Sequence, residues 1–83
     1  LKQNYPNPFN PATTIAFENT KTAQIRISVY DVMGRLVDVV ADRRFSAGYH
    51  TVQWSASDLA SGIYFYRLES NGQSLSRSMM LVK

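Results

Sequence analysis

One histidine, six carboxylates and no cysteine are the groups from which this 83-residue chain could build chemistry. His50, Ser55 and Asp58 are close enough in sequence to suggest a base, a nucleophile and an orienting acid. On a strand, however, a histidine and a serine five residues apart point to opposite faces, so no local triad forms. No Asp or Glu stands two or four positions from His50, the spacing that would place a second metal ligand on its face of a strand or a helix. Glu18, Asp38, Asp42, Asp58 and Glu69 are dispersed over different strands and loops rather than paired for acid–base work. Gly34, Gly48, Gly62 and Gly72 are spread as turn residues and make no phosphate loop. The absence of cysteine removes disulfides, thiolate nucleophiles and zinc-thiolate sites. The chain therefore reads as no enzyme, with no catalytic, cofactor-binding or metal-binding residues.

Aromatic side chains are the other raw material. An exposed platform of Tyr30, Tyr49 and Phe65 would suit a carbohydrate-binding or adhesive module, while Trp54 is explained more simply by core burial. The formal charge of +3 comes from scattered bases, with only Arg43 and Arg44 adjacent, so the clustered stripe of a nucleic-acid interface is missing. Apolar residues make up 45% and charged residues 18%, which places the chain among folded globular domains. Its length allows one hydrophobic core and leaves little room for a deep cleft. No apolar run approaches the roughly 20 residues of a membrane span, and no signal region opens the chain. With Leu1 in place of an initiator methionine, the chain reads as an excised module.

The elements that must position these residues repeat with period two. Ile15 and Phe17 alternate with Thr14 and Ala16, and Ile25, Ile27 and Val29 alternate with Gln24, Arg26 and Ser28. Asp31-Val32-Met33-Gly34 supplies a hairpin turn. A third strand follows over Arg35 to Val40, its facing unreadable because Leu36, Val37, Val39 and Val40 are all apolar. Ala41 to Gly48 reads as a short edge strand, and Val52 and Trp54 share a core face with His50 nearer the rim. In Gly62 to Leu68, Tyr64, Tyr66 and Leu68 point inward, leaving Ile63 and Phe65 outside. A tyrosine just after a tight turn, entering the penultimate strand, fits the tyrosine corner of Ig-like sandwiches, whose hydroxyl bonds back to upstream backbone. Asn71-Gly72 predicts a type I′ hairpin.

Both ends of the chain are unusual. All three prolines fall within Tyr5-Pro6-Asn7-Pro8-Phe9-Asn10-Pro11, which excludes a central strand and predicts a stiff docking segment over 1–12 whose two rings lie on a sandwich formed by 13–83. The last strand closes with Met79-Met80-Leu81-Val82-Lys83, apolar on both faces. Either its outer face is covered or it offers an apolar strand end to a partner. The spacing of turns gives an all-β, Ig-like antiparallel sandwich of about seven strands.

Taken together, Asn4 to Pro11 with Thr14-Ile15, then Tyr30-Asp31-Val32-Met33-Gly34-Arg35-Leu36-Val37, then Gly62 to Leu68, and finally Met80-Leu81-Val82-Lys83 resemble the type A C-terminal sorting domains of type IX secretion cargo. The pattern is also similar to the Ig-like domain of the flagellar hook-capping protein. The resemblance implies a non-catalytic signal behind a cargo domain of a Gram-negative exoprotein, recognised by the outer-membrane translocon, cut by a surface sortase-like peptidase, and delivered through the periplasm to the cell surface or medium. It also implies that the signal lies in Gly62 and Tyr64 and in the terminal residues Met79, Met80, Leu81, Val82 and Lys83. We expect the last strand to be the recognised element, by strand addition to a partner sheet. A structural spacer behind an enzyme and a sugar-binding module are the alternative readings.

Overall fold

The computed structural model describes all residues, Leu1–Lys83, and contains strands and no helix. The strands are β1 (Ala12–Asn19), β2 (Ala23–Tyr30), β3 (Leu36–Phe45), β4 (Gly48–Ser55), β5 (Gly62–Ser70) and β6 (Gln73–Leu81). They form two antiparallel sheets, β1-β4 and β3-β2-β5-β6, facing each other as a sandwich. The period-two pattern is the cause: Ile15 and Phe17 from one sheet meet Ile25, Ile27, Val29, Tyr64, Tyr66, Met79 and Leu81 from the other in a single cluster. Ile63 and Phe65 stand on the outer face as expected, and Leu68 packs against the core edge.

Six strands form where about seven were expected. Arg35–Val40 and Ala41–Gly48 are not two strands, because Leu36–Phe45 runs unbroken for ten residues along β2. Two register shifts, at Ile27/Ser28 and Val29/Tyr30, insert extra residues into β3. They explain its illegible facing: Val37, Val40 and Ala41 pack on the core, while Leu36 and Val39 emerge on the outer face. At the far end Phe45 is buried against Phe17, with ring centroids 5.0 Å apart, and the chain then crosses to β4 in the other sheet. At the β5–β6 turn Asn71 and Gly72 both adopt positive φ, 50° and 77°, as a type I′ turn requires.

Leu1–Pro11 makes no continuous strand, yet it joins the two sheets. Tyr5 bridges Thr14 of β1 in antiparallel fashion, and Phe9 bridges Leu81 of β6 in parallel. Of the two rings expected to dock, Phe9 is 2% exposed and lies 5.9 Å from the Trp54 ring. Tyr5 does not dock: it is 80% exposed, because its backbone pairs with Thr14 while its side chain projects away from the core. Asn4 is the buried polar anchor instead. Its backbone N–H donates to the Tyr66 hydroxyl (2.8 Å), its side-chain amide donates to Thr13 Oγ1 (3.0 Å) and the Pro6 carbonyl (3.2 Å), and its Oδ1 accepts from Gln3 Nε2 (2.6 Å), so burial leaves neither end of the side chain unpaired.

Candidate recognition surface

The turn into β5 and the chain terminus, separated by some twenty residues in sequence, meet at one end of the sandwich. Gly62 pairs with Leu81, Ile63 with Met80 and Tyr64 with Met79. Gly62 holds φ at +155°, a value side chains rarely adopt, and a Cβ there would meet nothing within 4 Å, so backbone conformation and not crowding calls for glycine. Two residues on, the Tyr64 hydroxyl donates to the Ala60 carbonyl at 2.7 Å, and the ring lies 6.5 Å from Trp54. This is the bond back to upstream backbone that a tyrosine corner requires. Lys83 ties the terminus to the same loop: its amide donates to Ser61 Oγ (3.0 Å) and its ammonium to the Ser57 carbonyl (2.6 Å).

The terminal run is split by the pleat. Met79 and Leu81 are 2% and 1% exposed and belong to the core, whereas Met80 and Val82 are 42% and 48% exposed. Of the residues named from sequence, Met80, Val82 and Lys83 are therefore reachable from solvent, and Tyr64, Met79 and Leu81 act through packing. The outer face continues the apolar area. Ile63 lies opposite Met80, and Phe65 lies opposite Tyr30, which in turn faces Leu36. The Arg67 guanidinium sits 4.4 Å from the Tyr30 ring centroid. A shallow depression of about 260 Å³ between Tyr30, Val32, Phe65, Arg67 and Ser76 brings the β2–β3 turn onto this face.

The aromatic trio is not assembled. Tyr30 and Phe65 are cross-strand neighbours on the four-stranded sheet, but Tyr49 lies on β4 of the other sheet, where Lys2 is its cationic neighbour at 5.6 Å. Alternation alone fails to find this, because which strands share a sheet is not written in local periodicity. His50 is a packing residue: its ring lies 5.6 Å from Phe17 and 5.1 Å from Phe45, and its Nε2 contacts the Ser46 carbonyl at 2.9 Å. Trp54 is buried and donates from Nε1 to Asp38 Oδ2 at 2.8 Å.

What sequence reasoning missed is the cover on the last strand. The Phe9 N–H donates to the Met80 carbonyl and the Val82 N–H to the Phe9 carbonyl, both at 3.0 Å. The Met80 N–H donates to Asn7 Oδ1 (3.0 Å), and Gln3 Nε2 donates to the Ser78 carbonyl (2.8 Å). The outward edge of the terminal strand is thus already paired with the proline-rich segment. The only hint was the odd pairing of a proline-rich beginning with an edge strand at the end, since an unpaired apolar edge calls for a cover.

A family model for the secretion system C-terminal sorting domain matches residues 3–83. The chain belongs to that family. Among solved structures, the sorting domain superposes on PorZ, an essential bacterial surface component of the type IX secretion system of Porphyromonas gingivalis, with a TM-score of 0.69. Identity is 23%, and the alignment covers 98% of the sorting domain but 11% of the PorZ chain, so the likeness establishes the fold alone. No curated protein matches the sequence. The type IX assignment drawn from the sequence motifs stands, and so does the Ig-like all-β fold.

Proposed function

We propose that this domain is the export signal of a cargo protein covalently attached ahead of it. In this reading the outer-membrane translocon recognises the domain, a surface sortase-like peptidase separates it from its cargo, and the cargo reaches the cell surface or medium. One observation carries the reading: Gly62, Tyr64 and the terminal residues, which the family resemblance marks as signal, converge on one end and display Met80, Val82 and Lys83 there. Gly62 and Tyr64 shape that end, the first through its backbone and the second through its bond to Ala60. The exposed trio supplies the contact surface.

The test is a fusion of residues 1–83 to a periplasm-targeted fluorescent protein in a bacterium with this secretion system. Surface or medium fluorescence that disappears when the translocon is deleted is the expected result. Val82→Asp with Met80→Asp should abolish export of a domain that still folds, while retained export would remove these residues from the signal. A sugar-binding role draws on the adjacency of Tyr30 and Phe65 and predicts retention on a polysaccharide column that Phe65→Ala abolishes.

A further inference from the structure

Resting on the reading just given, we infer that Leu1–Phe9 is a removable strap over the last strand, and that lifting it opens an edge for an extended peptide segment of the export apparatus. The edge has the shape of its present occupant. Met80 and Val82 present their backbone groups away from β5, and Phe9 takes both, running parallel to β6 with its ring seated beside Trp54. A replacement strand must therefore run parallel to β6 and place one apolar or aromatic side chain where Phe9 sits.

The strap is built to come away without unfolding the sandwich. Of its first eleven residues, only Asn4 and Phe9 are buried. On the β1 side Lys2 and Tyr5 pair with the backbone of Ala16 and Thr14, and Asn4 donates to Thr13 Oγ1 (3.0 Å); the strap's hold on the four-stranded sheet rests on two latches. One is the Phe9 ring. The other is the Tyr66 hydroxyl, fully buried on β5, which donates to the Lys2 carbonyl (2.7 Å) and accepts from the Asn4 N–H (2.8 Å). Its side-chain contacts with β6 are exposed, such as Arg77 Nε donating to the Leu1 carbonyl at 3.1 Å. Segments with few buried contacts open at a small fraction of the global unfolding free energy. The strap is also the part of the domain joined to the cargo, so tension, cleavage or docking on that side acts on it directly.

The first experiment uses the 83-residue domain and Tyr66→Phe, which removes one hydroxyl and leaves the ring. Amide hydrogen exchange should accelerate about tenfold or more at Met80 and Val82, with Ile27 and Val29 of the central strand unchanged. A labelled peptide with the sequence of Leu1–Pro11 should bind the variant at concentrations where it ignores the wild type. Equal exchange of Met80, Val82, Ile27 and Val29 in both proteins, or a peptide that binds neither, overturns the strap. Phe9→Ala is the second variant: it should admit the peptide in the same way and accelerate exchange at Met80 and Val82 by more than its global destabilisation accelerates Ile27 and Val29. These measurements need no translocon, so a wild-type reporter trapped in the periplasm would remove the sorting role and leave them standing. Conversely, cysteines at Asn10→Cys and Val82→Cys, the next pair after Phe9 and Leu81 in the parallel register, should stop export when oxidised. Undiminished export of the locked domain would sink the gate and spare the sorting role.

Discussion

The two halves of β6 show what the proline-rich segment does. From Met79 onward the strand is held on both sides, by β5 and by Phe9, and alternate side chains are buried. From Gln73 to Ser78 its one strand partner is β5, with only exposed contacts from Leu1 and Gln3 at Arg77 and Ser78, and every residue is exposed, including Leu75 at 57%. Both halves have the same partner strand and the same pleat. The difference lies in what covers them, since the β1-β4 sheet has two strands against four and cannot reach the whole inner face. The first half blunts its open edge with Gln73, Ser74, Ser76, Arg77 and Ser78, polar side chains of the kind that protect natural edges, whereas the second is apolar and needs a physical cover. An edge protected by composition is permanent, but one protected by a strap can be uncovered.

The largest effect should come from removing the cover's anchor. Phe9→Ala takes a buried ring from beside Trp54 in the core cluster and should cost about 3–5 kcal/mol, read by chemical denaturation. Next is the direct comparison of the halves. Met79→Ala should cost about 2–4 kcal/mol, and Leu75→Ala, four residues away on the same face, about 0.5 kcal/mol or less. Equal losses at the two positions would mean that the inner face is covered along its whole length. Tyr64→Phe removes the bond to Ala60 and should cost about 1 kcal/mol while leaving the exposed Met80 and Val82 in place.

How much of this was legible follows from the range of each interaction. Local devices could be read from residue types: the Asn71-Gly72 turn, the inward tyrosines and the Tyr64 corner depend on neighbours within a few positions. The β3 facing could not, because the shifts opposite Ile27/Ser28 and Val29/Tyr30 break the period on which the reading depends. The candidate site was half legible. Its residue types were found at Gly62, Tyr64 and Met79 to Lys83, but the division into buried Met79 and Leu81 and displayed Met80 and Val82 depends on register. The strap was hidden for a further reason. Phe9 and Leu81 are 72 residues apart, and only the closed sandwich brings them together.

The mildest way to sharpen the comparison is alkaline titration, because it touches the strap through one proton. Burial pushes the Tyr66 hydroxyl above its ordinary value of 10.0, outweighing the Asn4 N–H and the Arg77 charge, both of which favour the phenolate. A phenol whose folded pKa is raised contributes stability that is fully present below 10.0 and is lost as pH rises through the higher folded value. The loss has a structural counterpart, since a phenolate cannot donate to the Lys2 carbonyl. Thermal melts should therefore hold steady up to about pH 10 and then decline, and the decline should be shallower in Tyr66→Phe. If the strap opens before the sandwich, exchange at Met80 and Val82 will accelerate at lower pH than the melting midpoint falls. Simultaneous loss of both would make the first eleven residues an integral part of the core and not a cover upon it.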